Sequence, residues 1–264
     1  MSIHLNGTVV NLLSEQRVYT MRVITREAQG KRPYMEDRHC DQKVGSQDRL
    51  IGIFDGHGGS EVAVICETNF PLVVHQGLTA SHDIGHVLKN TFFIIDKLVG
   101  QVNKPYVGST AVVVLVTPAS IWFANAGDSM AMVAYNSDTV DLMSFEHKVE
   151  NEKQRIEGEG GRITYDDGCA RIEQTLNVSR SIGDYHMKRH VICEPYIRSI
   201  SREFKNIKYV LLASDGVWDV FNTHTIHDVI KNNKSPEAAL DIIVNIATNL
   251  GSDNVTVTYI DWTD

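Results

Sequence analysis

Asp55, Asp128, Asp215 and Asp253 occupy the same kind of position, where an apolar, strand-like run meets glycine or another small polar residue. Leu50-Ile51-Gly52-Ile53-Phe54 runs into Asp55-Gly56-His57-Gly58-Gly59, and Val210-Leu211-Leu212-Ala213-Ser214 runs into Asp215-Gly216. Ile121-Trp122-Phe123-Ala124-Asn125-Ala126-Gly127 ends on Asp128, and Asp253-Asn254 opens Val255-Thr256-Val257-Thr258-Tyr259-Ile260. A buried strand ends at a turn because its backbone groups must find partners, and glycine permits the tight geometry. One Asp-Gly at a strand end is only a turn. Several together suggest strand ends converging on a hard divalent cation, which takes oxygen ligands and tolerates water.

Other charged residues fit around such a centre. Arg32 precedes Glu36 and Asp37 closely. Alone, that cluster is more often an exposed charge pair; its functional reading has Glu36 on a metal and the planar fork of Arg32 on a phosphate. In Asp55-Gly56-His57-Gly58-Gly59 the glycines let backbone carbonyls reach a cation, beside a histidine. A strand-to-helix turn with a solvated histidine is the plainer alternative. Arg180-Ser181-Ile182-Gly183-Asp184 adds a further basic and acidic pair, by default a structural salt bridge. His82/His86 and His186/His190 have a spacing that binds zinc on one helical face, yet neither pair has an H-E-x-x-H acid beside it.

The elements that must position these residues follow from hydrophobic periodicity. Strands are expected at Thr8–Leu13, Val18–Thr25, Leu50–Phe54, Thr110–Thr117, Ile121–Ala124, Met130–Tyr135, Ile172–Val178, Ile197–Ser201, Tyr209–Ala213 and Asn254–Ile260. Helices are expected from about Ser60 to Val74, and over His82–Val99, Asn151–Gly158, Thr223–Lys231 and Ser235–Leu250, the last capped by Ser235 with Pro236 in its first turn. Strand and helix do not alternate strictly. That order suggests packed, mostly antiparallel sheets flanked by helices, an α+β sandwich.

The chain of 264 residues is 42% hydrophobic and 22% charged, an ordinary globular composition able to bury a large core. Its formal net charge of −8 argues against unspecific binding to nucleic acid or anionic membrane. Cys40, Cys66, Cys169 and Cys193 are scattered, so neither a zinc cage nor a disulfide framework is expected. No basic stretch with a following apolar region opens the chain, and no apolar run is long enough for a bilayer, so cytoplasmic or nuclear residence is the default. Nothing marks a domain boundary, and one domain over residues 1–264 is expected.

The ordered set of motifs resembles the metal-dependent Ser/Thr protein phosphatases, the protein phosphatase 2C family, along nearly the whole chain. The resemblance runs from Gln29-Gly30-Lys31-Arg32-Pro33-Tyr34-Met35-Glu36-Asp37 through Phe54-Asp55-Gly56-His57-Gly58-Gly59 and Gly108-Ser109-Thr110-Ala111. It continues in Ala124-Asn125-Ala126-Gly127-Asp128-Ser129 and Leu176-Asn177-Val178-Ser179-Arg180-Ser181-Ile182-Gly183-Asp184. It closes with Ala213-Ser214-Asp215-Gly216-Val217-Trp218-Asp219 and Ser252-Asp253-Asn254-Val255-Thr256-Val257.

The resemblance implies a four-layer sandwich, two mostly antiparallel sheets with helices on both outer faces. It implies two Mg2+ or Mn2+ ions bridged by Asp55, with the Gly56 carbonyl at one and Glu36, Asp215 and Asp253 at the other. Asp128 matches the position linked to a weaker third ion in some members, and Asp37 and Asp219 match residues that orient metal-held waters. Arg32 then binds substrate phosphate and His57 acts as general acid, so phosphoserine and phosphothreonine in a phosphoprotein substrate are hydrolysed by metal-activated water. A monomer is expected. The absence of a Cys-x5-Arg loop agrees with a route lacking a covalent intermediate. Met130 replaces a common arginine, and Glu146-His147-Lys148-Val149 stands where Asp-His-Lys-Pro is usual. Tyr185–Cys193 takes the place of the family's variable flap, where Lys188, Arg189 and His190 either meet an acidic phosphosubstrate or form an exposed basic turn. The alternative function is a pseudophosphatase, a binding or regulatory module on the same fold; the full set of expected metal ligands, with Arg32 and His57, argues against it.

Overall fold

The computed structural model describes residues 20–166, 168–201 and 206–263, with the backbone of an N-terminal hairpin, β1 (Ser2–Leu5) and β2 (Thr8–Asn11). The remainder of the expected strand Thr8–Leu13, and the start of Val18–Thr25, lie outside the described residues. Next come β3 (Thr20–Ala28), β4 (Arg38–Lys43), β5 (Arg49–Phe54) and β6 (Gly56–His57), then helices α1 (Glu61–Ala80) and α2 (Ile84–Val99). They are followed by β7 (Gly108–Ser109), β8 (Ala111–Val116), β9 (Ser120–Ala126), β10 (Met130–Tyr135) and β11 (Val140–Leu142). A 3-10 turn at Val149–Glu152 leads into α3 (Lys153–Gly158), the hairpin β12 (Ile163–Asp166) and β13 (Cys169–Ile172), and β14 (Ile182–Gly183). The chain closes with β15 (Tyr196–Ser201), β16 (Ile207–Ala213), α4 (Asp215–Trp218), α5 (Thr223–Lys231), α6 (Pro236–Leu250) and β17 (Val255–Thr263).

Two five-stranded sheets dominate, in the orders β11-β10-β16-β17-β3 and β15-β9-β8-β5-β4. Every neighbouring pair within them is antiparallel. Successive side chains of a strand point to opposite faces, and the core follows that rule. Ile51 and Ile53 of β5, with Val112, Val114 and Val116 of β8, meet Ala131, Val133, Val210 and Leu212 of the other sheet. Their alternates Leu50, Phe54, Val113 and Leu115 face α1 and α2 instead, where Phe70 stands edge-on to Phe92 with ring centroids 4.9 Å apart. Met132, Leu211 and Val257 on the far sheet pack against Ile226, Leu240 and Ile243 of α5 and α6. Helices, sheet, sheet and helices therefore stack in four layers.

Local signals account for most element ends. Ser235 accepts from the Ala238 amide at 3.2 Å and Pro236 starts α6, while Asn222 and Thr225 form a reciprocal cap on α5. The expectation missed β4 because its sequence, Arg-His-Cys-Asp-Gln-Lys, has a single buried position, Cys40. It is an edge strand, where charge discourages pairing with other chains. The expected strand Ile172–Val178 is not formed: Glu173 and Gln174 adopt φ of 49° and 62°, which turns the chain at the end of β13. Among the described residues no helix is long and apolar enough to cross a membrane.

Candidate active site

The carboxylates met first in the sequence share one end of the sandwich. Asp55 directly follows β5, the β9–β10 turn presents Asp128, β16 ends just before Asp215 at the start of α4, and Asp253 lies two residues before β17. All four line one cavity of about 230 Å3, with Arg32, Gly56 and His57.

Buried hydrogen bonds lock the loops that deliver them. Asn254 accepts from the Glu36 amide at 2.8 Å and donates to the carbonyls of Gln29 (2.7 Å) and Tyr34 (3.0 Å), pinning the Arg32-bearing loop to the entry of β17. Asp37 lies behind the cavity and accepts from Ser214 Oγ (2.9 Å) and Thr256 Oγ1 (2.7 Å). Asn125 and His147 hold the turn before Asp128: Asn125 Nδ2 donates to Gly127 and Phe145 carbonyls, and His147 Nδ1 donates to Gly127 O at 3.0 Å. Burial, with the charge of Arg180 beside it, pushes the His147 imidazole down to about 4, so it serves that bond as a neutral ring. At Gly216 an added Cβ would lie 2.0 Å from the Asn254 carbonyl, so only glycine lets α4 approach β17 so closely.

The electrostatics show how tightly the acids are gathered. Burial, and then the charges of Asp215, Asp37, Asp128 and Asp253, raise the Asp55 carboxyl well above its ordinary value. Asp215 is raised in the same way by burial and by Asp128, Asp253 and Asp219. Burial also lifts Asp37 and Asp128 to about 6. Like charges held close in low dielectric resist joint ionisation, and a divalent cation relieves that repulsion. Asp37 Oδ1, Asp128 Oδ2 and Asp215 Oδ1 are buried oxygens without hydrogen-bond partners among the described residues. An all-oxygen donor set with such free atoms suits Mg2+ or Mn2+. Among the described residues no three His, Cys, Asp or Glu side chains come together closely enough to hold an ion by themselves. Arg32 Nη2 holds Asp253 Oδ2 at 2.6 Å, and Lys148 holds Asp219 at 3.1 Å.

Gly56 and His57 of β6 line the cavity, and β6 belongs to a three-stranded ribbon, β14-β7-β6, in which His57 and Gly183 both lie opposite Gly108. This register sets His57 Nε2 2.7 Å from Asp184 Oδ2, and Asp184 also accepts from Ser181 Oγ at 2.5 Å. A Cβ on Gly108 would fall 2.1 Å from Asp184 Oδ2 and 2.4 Å from His57 Nε2, so the pair depends on glycine there. Burial pulls the His57 imidazole down, but its hydrogen bond and charge pairing with Asp184, helped by Asp128 and Glu36, outweigh it and raise it above the ordinary value.

Not every expected residue reaches the cavity. Glu36 is half-buried beside it, its carbonyl against Gly56, and Asp219 is exposed in its pair with Lys148. Arg180 and Asp184 form no salt bridge with each other: Arg180 pairs with Glu152 at 2.6 Å and Asp184 turns to His57. Tyr185–Cys193 is not the element over the site. Lys188 is tied to Asp96 of α2 at 2.5 Å and to the Gly183 carbonyl at 2.8 Å, while Arg171, Thr175, Leu176, Asn177 and Val178 line the cavity instead. The histidine pairs hold ordinary bonds: His86 meets Asn90 and His186 meets the Pro105 carbonyl. Met130 is buried at the start of β10, paired with Ala213. Asn254, Ser214 and Thr256, which hold the loops of the site in place, enter the sequence reading only as parts of motifs, and Asp184, which pairs with His57, enters it as the acid of a structural salt bridge. The signal for Asn254, Ser214 and Thr256 is their place near Asp215 and Asp253; Asp184 has no such neighbour.

Comparison with known proteins agrees with this geometry. A family model described as protein phosphatase 2C matches residues 21–256. Protein phosphatase 2C 56 of Arabidopsis thaliana is 34% identical over 220 residues, covering 72% of this chain and 50% of that protein. Probable protein phosphatase 2C 24 of the same plant is 34% identical, covering 80% and 68%. The chain spans about half to two thirds of the length of the curated relatives it matches. Among solved structures, a sex determining protein of C. elegans superposes with a TM-score of 0.83 at 25% identity, covering 90% of this chain and 64% of that one. A phosphatase from Toxoplasma gondii gives 0.80 at 19%, covering 92% and 93%, which shows the shared fold. With the family model matching most of its length, and with such relatives, the chain belongs to the protein phosphatase 2C family.

Proposed function

We propose that the chain acts as one catalytic domain over residues 1–264 that hydrolyses phosphoserine and phosphothreonine in proteins with Mg2+ or Mn2+. The observation that carries this reading is the convergence of Asp55, Asp128, Asp215 and Asp253 on one cavity that also holds Arg32 and His57. Asp55, the Gly56 carbonyl, Glu36, Asp215 and Asp253 would hold two ions, and Asp128 would serve a third. When bound, the ions supply a water that ionises near neutral pH and positive charge against the phosphoryl oxygens.

The chain's own groups do the rest. Arg32, exposed at the rim, exchanges its pairing with Asp253 for a bidentate grip on phosphate. Asp37, fixed by Ser214 and Thr256 on one oxygen, keeps Oδ1 to accept from water and orient it. As the oxygen of water bonds to phosphorus, the P–O bond to serine or threonine breaks and the departing oxygen must take a proton. His57 provides it: Asp184 holds Nε2 and stabilises the charged ring, leaving Nδ1–H to donate.

Phosphate release from a phosphoserine peptide with Mn2+, with chelator, and by Asp55→Ala tests this. Turnover with Mn2+ that both chelator and Asp55→Ala abolish, in a variant with unchanged circular dichroism, is the expected result. Phosphopeptide binding without turnover by the wild type would make the chain a pseudophosphatase.

A further inference from the structure

Two arginines line the carboxylate cavity, and the family motif accounts only for Arg32. The other, Arg171, comes from β13 in the hairpin beside the site. It also lines a neighbouring hollow of about 340 Å3 with Thr164, Tyr165, Asp166 and Gln174, so one side chain is shared by both spaces. Its Nη1 donates to the Thr175 carbonyl at 3.0 Å, which holds the guanidinium in place without neutralising it. Among the described residues it has no carboxylate partner. Cations on adjoining segments do: Arg155 and Arg180 share Glu152, Lys148 holds Asp219 and Glu146, and Lys188 holds Asp96.

We infer that Arg171 reads the substrate sequence by contacting a carboxylate side chain next to the phosphorylated residue. This rests on the phosphatase reading of the cavity. With the phosphate against Arg32, the peptide must leave the cavity along one of its walls. The wall carrying Arg171 also borders the second hollow, where Thr164, Tyr165 and Gln174 offer polar contacts. Asp166 stands there too and repels acidic residues placed further out. The preference is therefore for an acid beside the phosphoresidue, not for an acidic peptide at large. Arginine suits this role because its fixed fork pairs with a carboxylate while one nitrogen stays on the Thr175 carbonyl.

The test is kcat/KM with Mn2+ on phosphoserine peptides that carry Glu or Gln at one flanking position at a time. At one such position the wild type should favour Glu by about three- to tenfold, mainly through KM, the size of a partly exposed charge-assisted pair. Arg171→Ala should bring that ratio to about one through loss on the Glu peptide, Arg171→Lys should keep part of it, and Arg171→Glu should invert it. A wild type indifferent to Glu at every flanking position overturns the inference, as does Arg171→Ala with the ratio intact. Wild type inert on all the peptides would instead defeat the phosphatase reading, and this inference with it.

Discussion

At the scale of single residues, the site divides into groups that gather charge and groups that hold those groups still. His57 belongs to the first kind, Asp184 and Gly108 to the second. A general acid matters only when the leaving oxygen is poor, as the alkoxides of serine and threonine are. His57→Gln should lower phosphoserine-peptide hydrolysis by about 10²–10⁴-fold and affect an activated aryl phosphate much less. Asp184→Asn and Gly108→Ala should show the same selectivity at smaller size, the first by removing the carboxylate charge that faces Nε2, the second by forcing the pair apart. The measurement is kcat against leaving-group pKa for wild type and variants in parallel. Equal losses across the series would take His57 out of proton donation. Asp128→Ala should slow turnover and, by calorimetry, remove a weak metal site while the tighter ones stay; loss of all metal would make Asp128 a primary ligand. The acids themselves were legible in the sequence because strand ends and glycine mark them. Asp184 was not, since its value comes from a register that sets β6 and β14 on either side of Gly108.

Among the elements, legibility followed burial. Strands buried on both faces, such as β8 and β16, were plain apolar runs, whereas β4 was hidden by its charged edge and the β12–β13 hairpin by its mixed composition. The hairpin stands on a small satellite core of Val149, Ile156, Ala170, Ile172, Met187 and Val191, apart from the three large clusters. Amide exchange in β12 and β13 should accordingly run well ahead of that in β8; equal protection would mean that the hairpin opens only with the whole fold. Glu152 fastens this region. It accepts from Arg180, Arg155 and Ser179, and although burial opposes its charge, those bonds hold the carboxyl down at about 2. A carboxyl lowered in the folded state stabilises above its unfolded value and ceases to do so as pH falls through the folded one. Relative to the ordinary 4.5, the shift is worth about 3 kcal/mol. Glu152→Gln should thus cost about 2–4 kcal/mol at pH 7, with the gap to wild type narrowing from about pH 4.5 down towards 2. Denaturant titrations at several pH values check it; a gap constant with pH would remove the charge from the account.

For the whole molecule, the sandwich does two things at once. Its alternating strands build three apolar layers that fix the stack, and its antiparallel turns bring several acids to one end. The layers were readable from period-two patterning; which end the acids share was not, because that depends on sheet order rather than on any local run. Gathering them is costly without a cation. Asp37 and Asp128, raised by burial to about 6, and Asp55 and Asp215, raised by burial and by their neighbours' charges, all have folded values above their unfolded ones. The sign follows: these groups favour the fold below the unfolded carboxylate value, and for Asp37 and Asp128 that contribution is lost as pH rises through about 6. On the proposed reading Mg2+ would bind the ionised cluster in competition with protons and stabilise the folded chain by mass action. The rise in Tm on adding millimolar Mg2+ should therefore be small near pH 5 and grow steadily to pH 7.5. Asp128→Asn should raise the Tm of the metal-free protein at pH 7.5 while reducing the increment from Mg2+, because it removes one of the repelling charges and one of the ligands together. An increment independent of pH, or an Asp128→Asn variant less stable without metal, would mean that the acids are not in conflict in the free protein and that another term holds this end of the sandwich.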